Sequence, residues 1–139
     1  MAADARGRLW NSLRGLLPAG CHATRIENSI GSGFPDVHYT YLESSGTIEL
    51  KSADRLPMKD AGLRKSQRDW IKEEIEAGGQ VWILIEHKKT IYIVNGLYAE
   101  LVNHKTEEDM PFISAALWTK GISHSERAAI VASILLNKA

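Results

Sequence analysis

The chain has 139 residues, of which 44% are hydrophobic, and this suits one domain spanning residues 1–139 with an ordinary core. A single cysteine excludes an internal disulfide, and no apolar run of about 18 residues is present to form a membrane-spanning helix. The formal net charge is zero, whereas nucleic-acid-binding domains are usually basic. A site that gathers carboxylates around a metal would itself move the total charge toward neutral, so nucleic-acid binding stays open.

Hydrophobic periodicity and turn residues predict the secondary structure in chain order. We expect a helix over 4–17, a short helical piece over 23–28, strands over 36–42 and 47–51 joined by a turn at 43–46, a helix capped by Ser66 and ended by Gly78-Gly79, strands over 81–85 and 90–94, and a last helix capped by Ser123. Strands separated by a helix, with a nearly all-apolar strand after it, predict an α/β fold with a mixed sheet covered by helices.

Three polar residues of the predicted hairpin share one face of the sheet. Glu49 and Lys51 are two apart on a strand, so their side chains leave the same face. A hairpin loop of two or four residues pairs Thr40 with Glu49. In that register His38 pairs with Lys51, and Asp36 lies diagonally next to Lys51 on the same face. A three-residue loop would reverse the parity and separate the set.

Two carboxylates beside an ammonium are suited to metal-dependent hydrolysis of phosphodiester bonds. Mg²⁺ prefers oxygen ligands and keeps several waters, so two neighbouring carboxylates can hold it. A metal there can activate a water and stabilise the charge that develops on a phosphate under attack. The ammonium can orient the nucleophile or stabilise that charge. The competing interpretation is a solvated ion pair on a sheet surface, worth about 0.2–1 kcal/mol.

The same residues resemble a known family. Gly33-Phe-Pro-Asp36, followed after the hairpin by Glu49-Leu-Lys51, is similar to the signature of the PD-(D/E)XK nuclease superfamily. The pattern is most similar to its VRR-NUC and phage or archaeal Holliday-junction-resolvase-like branches. Glu27, Gln67 and the apolar strand that follows them match further features in the correct order. The resemblance covers residues 24–94 and implies a restriction-endonuclease-like mixed sheet flanked by α-helices.

Carried over residue by residue, the resemblance implies a catalytic site that depends on Mg²⁺ or Mn²⁺. Asp36, Glu49 and the backbone carbonyl of Leu50 would bind the metal. Lys51 would position or activate the water. Glu27 would complete the acidic cluster, directly or through a water, although an ordinary exposed helix carboxylate is the alternative for this residue.

Further contacts with the substrate would come from the helix after the hairpin and from basic residues. Gln67 would orient the catalytic lysine or touch the phosphate, and a role on the helix surface is equally open. From Lys51 to Lys72 the chain carries seven basic and three acidic residues. The candidates for contacts with DNA phosphates are Arg25, Arg55, Lys59, Arg64, Lys65 and Arg68. The alternative for such a run of charge is a solvated surface.

We therefore expect a metal-dependent DNA endonuclease that acts on branched or structured DNA in replication, repair or recombination. Its location would be the cytoplasm of a prokaryote or of a phage-infected host cell. A restriction-type enzyme or an exonuclease on duplex DNA stays open, as does a non-catalytic DNA-binding module on the same fold. A third interpretation is an α/β domain with coincidental motifs, and it predicts that Asp36, Glu49 and Lys51 do not converge.

We also expect a homodimer. Resolving a symmetric junction needs two cuts, and a two-fold dimer supplies paired active sites. The first and last helices each carry an apolar stripe, and Trp10 and Trp118 lie in regions outside the resemblance. Aromatic residues are enriched at interface cores, so these regions are candidates for the interface. The alternative is that both helices cover the sheet of a monomer.

Overall fold

The computed structural model describes residues 5–26 and 33–137. The helices and strands, in chain order, are α1 (Ala5–Arg14), β1 (His22–Arg25), β2 (Val37–Tyr41), β3 (Ser44–Ala53), α2 (Lys65–Glu76), β4 (Val81–His87), β5 (Thr90–Asn95), α3 (Met110–Ile113), β6 (Ser114–Thr119) and α4 (His124–Leu136). The strands lie side by side in chain order in one six-stranded sheet. β3 and β4 run parallel, and the other neighbouring pairs are antiparallel. The predicted α/β fold with a mixed sheet between helices is confirmed. Within the described residues, no helix is both long and apolar enough to cross a bilayer.

The helix α2 makes the parallel pairing of β3 and β4 possible. Parallel neighbours need a crossover connection, and α2 supplies it between the end of β3 and the start of β4. All seven residues of β4 are buried. A strand covered on both faces is expected to be almost continuously apolar, which explains the run Val81–Ile85.

Alternation along β4 divides the interior into two hydrophobic cores. Trp82 and Leu84 face a first core, which the helices α1 and α4 cover. Ile83 and Ile85 face a second core, which contains residues of α2 and of the segment after β5. In the parallel register Glu49 lies opposite Ile83, and Lys51 lies opposite Ile85. The candidate catalytic residues of β3 therefore belong to the α2 side of the sheet.

The turn between β2 and β3 is shorter than predicted. Leu42 and Glu43 alone separate the paired residues of the two strands. Thr40 pairs with Ser45, so the predicted pairing of Thr40 with Glu49 is wrong. A two-residue turn nevertheless preserves the parity that the prediction required, because a shift by an even number of residues leaves each side chain on its face.

Two strands occupy segments where the sequence pattern did not predict them. β1 forms at His22–Arg25 and pairs with β2, so the short helical piece predicted over 23–28 is wrong for residues 23–25. Its outward and half-buried residues alternate, as expected for an edge strand covered on one face. Residues 27 and 28 of the predicted piece lie outside the described residues. β6 forms at Ser114–Thr119 and pairs with β5.

Of the two predicted helix caps, Ser123 is confirmed and Ser66 is wrong. Ser123 caps α4, where its side chain accepts a hydrogen bond from the backbone N–H of Glu126. For α2 the cap is Arg64 rather than Ser66. The start moves because Gln67 accepts a hydrogen bond of 2.9 Å from the Arg64 N–H, which closes the first turn two residues earlier.

Trp10 and Trp118 do not form an exposed interface. They are 8% and 5% exposed and belong to the first core, between the sheet and the helices α1 and α4. The assignment of these residues to a dimer interface is therefore wrong. Both helices cover the sheet, because their apolar stripes meet the apolar face of β2 to β6 within one chain.

The short hairpin turn generates a prediction about stability. Leu42 and Glu43 adopt left-handed conformations with φ of 49° and 69°. Two consecutive left-handed residues form a type I′ turn, for which Asn-Gly is the preferred pair. The double variant Leu42→Asn/Glu43→Gly should raise the melting temperature, followed by circular dichroism, by roughly 3–6 °C, because relieving such strain is worth about 1 kcal/mol or more.

The control for this experiment is Ser45→Gly in the adjoining strand. Glycine weakens a strand, so this variant should lower the melting temperature. Leu42 is 65% exposed, and its replacement removes little packing. A double variant that melts at or below the wild-type temperature would contradict the turn assignment.

Candidate active site

The segment Gly33–Asp36 lies against the first turns of α2. Gly33 has a φ of 89°, and a Cβ at this position would overlap the backbone carbonyl of Ser66. One residue later Phe34 contacts Trp70, with ring centroids 5.0 Å apart. Aromatic pairs at this separation add to the stability of the contact. The glycine and the aromatic pair together fix the chain just before β2, where Asp36 lies.

Asp36 contacts the strand that carries the other candidate residues. Its Oδ2 accepts a hydrogen bond of 2.9 Å from the backbone N–H of Leu50. The carbonyl of Leu50 faces the same edge of β3 as this N–H, because both groups of a strand residue point toward the same neighbour. β2 begins with Val37, which pairs with Ile48, so no residue of β2 pairs with Leu50. The Asp36 carboxylate takes the place of a strand partner for the Leu50 N–H.

Glu49 is buried on the α2 side of β3, with a relative exposure of 1%. Its Oε2 accepts a hydrogen bond of 2.8 Å from Nε2 of Gln67, and Nζ of Lys51 lies 4.0 Å from the same oxygen. The Oε1 of Gln67 accepts from the backbone N–H of Arg64. Because the amide oxygen must face that N–H, the amide nitrogen must face Glu49, and the two partners together fix the orientation of Gln67.

The observed register changes the expected position of Asp36. Val37, the first residue of β2, pairs with Ile48, and Asp36 comes just before this pair. The predicted pairing, which set Asp36 diagonally next to Lys51, is therefore wrong in its register. In the structure the carboxylate of Asp36 bonds the backbone of Leu50, between Glu49 and Lys51.

The chemistry of this donor set fits Mg²⁺ or Mn²⁺. The set consists of the carboxylates of Asp36 and Glu49 and the main-chain carbonyl of Leu50, and all three supply hard oxygen ligands. Mg²⁺ characteristically binds through one or two carboxylates and retains waters. Within residues 5–26 and 33–137 there is no group of three or more His, Cys, Asp or Glu side chains that could hold a metal. Glu27, the third predicted carboxylate, lies outside the described residues.

The predicted DNA-binding residues differ in their surroundings. Four are exposed around the β3–α2 connection and the start of α2, namely Arg55, Lys59, Arg64 and Lys65. Lys65 forms an ion pair of 2.7 Å with Asp69. Arg25 is half-buried in β1. Arg68 is engaged within the chain, because its Nη1 donates to the carbonyl of Leu63 at 2.6 Å.

Comparison with known proteins supports the fold. No family model matches this chain, and no curated protein sequence matches it. Among solved structures the chain is similar to Archaeoglobus fulgidus Hjc, described as a Holliday junction resolvase from an archaeal hyperthermophile. The TM-score is 0.54 at 17% sequence identity, and the match covers 88% of this chain and 95% of that chain. The chain therefore has the fold of that protein.

The close approach of Gly33 to α2 generates a prediction about stability. Gly33→Ala should lower the free energy of unfolding, measured by urea denaturation, clearly more than Gly20→Ala. Both positions are left-handed, with φ of 89° and 87°, so both substitutions carry a backbone cost of about 1–2 kcal/mol. Only at Gly33 does the added Cβ also meet backbone atoms, whereas at Gly20 nothing lies within 4 Å. Equal losses for the two variants would show that Gly33 does not pack against α2 in this way.

Proposed function

We propose that this protein is a metal-dependent DNA endonuclease that hydrolyses phosphodiester bonds in branched or structured DNA. The observation that carries the proposal is the convergence of Asp36, Glu49, Lys51 and Gln67 at one place on the α2 side of the sheet. The similarity in fold to a protein described as a Holliday junction resolvase supports branched DNA as the substrate class. Replication, repair or recombination would supply such DNA.

The proposed roles are argued from the contacts of the described residues and, for Glu27, from the sequence resemblance alone. Asp36, Glu49 and the Leu50 carbonyl would hold Mg²⁺ or Mn²⁺, with Glu27 as a further ligand directly or through a water. A bound cation of this kind supplies an activated water and stabilises charge on the phosphate. Lys51 would place its ammonium beside the attacked phosphate or the water and lower the barrier electrostatically. Gln67 would keep the Glu49 carboxylate in one orientation, as partners of metal ligands commonly do.

The exposed basic residues near the site would bind the DNA backbone. Arg55 follows β3 and Arg64 caps α2, so both lie on the connection between the two elements that form the site. Together with Lys59 and Lys65 they offer positive charge to phosphates on either side of the scissile bond. Arg68 would contribute less, because its guanidinium already bonds the Leu63 carbonyl.

The proposed activity predicts metal-dependent cleavage that requires Asp36 and Lys51. On a panel of duplex, nicked, flapped and four-way DNA, the wild-type protein should cut branched substrates in Mg²⁺ or Mn²⁺ and stop with EDTA. Asp36→Ala and Lys51→Ala should each lower the cleavage rate about 100-fold or more, because each removes charge stabilisation of the transition state. DNA binding should persist in both variants and weaken with salt as counterions compete.

A control is Lys89→Ala, which removes an exposed ammonium in the β4–β5 turn, four residues beyond the partner of Lys51 on β4 and outside the assigned catalytic residues. It should cleave at the wild-type rate. Cleavage by Lys51→Ala equal to that of Lys89→Ala would reject the assigned site. Binding of branched DNA without cleavage in any metal would favour a DNA-binding module, and preferential cutting of plain duplex would favour a restriction-type enzyme or an exonuclease.

We further propose a homodimer formed through β6. This strand is last in the strand order, and it carries one exposed apolar side chain and follows another: Leu117 in β6 is 38% exposed, and Phe112 just before β6 is 85% exposed. An edge strand can pair with a second copy of itself, and a two-fold axis perpendicular to the sheet would make one continuous sheet. Both copies of Glu49 would then face the same side, separated by seven strand spacings, on the order of 34 Å.

Dimerisation through β6 predicts that Phe112→Ser lowers the mass in solution. Analytical ultracentrifugation of the wild-type protein at micromolar concentration should give twice the 15.4 kDa of one chain. Phe112→Ser should shift the mass toward that of one chain, because burying an exposed aromatic residue drives association. Leu42→Ser, at an exposed apolar residue in the β2–β3 turn, is the control and should leave the mass unchanged. A wild-type mass near that of one chain, and one chain per DNA molecule in the complex, would reject the dimer.

A further inference from the structure

Asn103 is a buried polar residue in a part of the chain that the sequence motifs leave without a role. It lies in a 3₁₀ turn at Val102–His104, after β5, and is 6% exposed. Its Oδ1 accepts a hydrogen bond of 2.8 Å from the N–H of Leu63, and its Nδ2 donates one of 2.8 Å to the carbonyl of Leu63. One side-chain amide therefore satisfies both backbone groups of a residue 40 positions away in the chain.

The contact between Asn103 and Leu63 is closely fitted. A Cβ on Gly62 would overlap Oδ1 of Asn103, so the loop before α2 approaches the amide as near as glycine allows. The side chain of Leu63 is 2% exposed and packs in the second core. Backbone and side chain of Leu63 are thus both held.

Leu63 in turn sets the start of α2. The next residue, Arg64, is the helix cap, and its N–H donates to Oε1 of Gln67. The Leu63 carbonyl also accepts from Nη1 of Arg68 at 2.6 Å, so the first turn of the helix is tied to Leu63 a second time. A displacement of Leu63 would therefore displace the first turn of α2 with it.

Gln67 connects the first turn of α2 with the candidate active site. A single amide bonds both the Arg64 N–H and Oε2 of Glu49, at 2.9 Å and 2.8 Å. When the first turn moves, one of these two bonds must lengthen. Glu49 is buried and cannot exchange a lost donor for bulk water without cost, so its carboxylate would turn or shift.

We infer that Asn103 is a positioning residue for the candidate active site, and that it sets the orientation of the Glu49 carboxylate through the first turn of α2. It touches no reacting group and is not itself catalytic. The catalytic consequence rests on the proposed function, whereas the mechanical link from Asn103 to Gln67 can be measured without any substrate.

The mechanical link is tested by NMR of the side-chain amide of Gln67, identified by its loss in Gln67→Leu. Asn103→Ala should move this signal, because it frees Leu63 and the first turn of α2. Asn103→Asp should move it as well: it keeps an acceptor for the Leu63 N–H but places an oxygen against the Leu63 carbonyl. This second variant decides the question if Asn103→Ala is too unstable to study.

Two controls separate positioning from a general loss of stability. Asn95→Ala removes one exposed local bond in the same part of the chain, where Asn95 accepts from the Leu97 N–H at 2.9 Å. Val131→Ala removes a buried side chain from the first core, on the other face of the sheet. Neither residue contacts Leu63 through a described hydrogen bond, so the Gln67 signal should stay in place in both controls.

The consequence for the site is measured with Mn²⁺. Paramagnetic broadening of nearby signals gives the Mn²⁺ affinity, and the metal dependence of cleavage gives the half-saturating concentration. In Asn103→Ala both should indicate binding weaker by about tenfold, as for other residues that orient metal ligands, while Asn95→Ala and Val131→Ala bind as the wild type does.

The possible outcomes test the positioning role of Asn103 and the proposed nuclease activity separately. An unmoved Gln67 signal in the Asn103 variants, or a moved signal with unchanged Mn²⁺ affinity, would overturn the positioning role. A wild-type protein that binds Mn²⁺ but cuts no DNA would reject the proposed nuclease, and the Gln67 signal and the Mn²⁺ affinity would still decide the role of Asn103.

Discussion

The burial of the Glu49 carboxylate on β3 is the constraint on which the rest of the site depends. A charged group at 1% exposure is very costly unless polar partners compensate for the lost water. Gln67 and Lys51 supply such partners, one by a hydrogen bond and one by its charge. Gln67 is on α2 and Lys51 is on β3. Both partners can therefore reach the Glu49 carboxylate only when α2 is correctly placed against β3. The position of α2 is therefore a condition of the site as well as of the core.

The two faces of β3 have different roles, because successive side chains of a strand point to opposite faces. Its even-numbered residues Ile48 and Leu50 pack in the first core, against elements that include α1 and α4. Its odd-numbered residues Glu49 and Lys51 point to the α2 side. The apolar face anchors the strand, and this allows the other face to carry charge that would otherwise destabilise the domain. A strand placed between two neighbours is rigid, so the side chains on its polar face are precisely placed.

The local parts of this arrangement were predictable from the sequence. Glu49 and Lys51 are two apart on one strand and share a face whatever the turn, and any even-numbered turn also brings Asp36 to that face, so the three could be placed together without the exact register. The register itself was missed because Leu42 and Glu43 make the turn in left-handed conformations that neither residue type favours. The Ser-Ser-Gly that follows looked like the turn and is part of β3 instead.

Features that depend on distant contacts were not predictable. β1 and β6 are short, have weak patterns of their own, and form by pairing with β2 and β5. The indole of Trp118 was expected at an interface, but α4 of the same chain covers it. The bonds from Asn103 to Leu63 link residues 40 positions apart, and no spacing rule connects an amide with backbone groups at such a separation.

The neighbouring strand β4 carries a second buried carboxylate, Glu86, outside the candidate site. Burial of a carboxylate alone therefore does not define the site. Glu86 on β4 is 7% exposed, but it faces the α1 side and is in direct contact with the ammonium of Lys120, with Arg8 at 3.6 Å. A direct ion pair of this kind fixes both groups and stabilises the carboxylate where it stands. Lys51 instead lies 4.0 Å from Oε2 of Glu49, beyond hydrogen-bond distance. Its positive charge still favours the carboxylate. Glu49 is thus held by a hydrogen bond from α2 and by a charge on its own strand, so its orientation depends on the placement of the helix, whereas Glu86 is held by a direct ion pair on the α1 side.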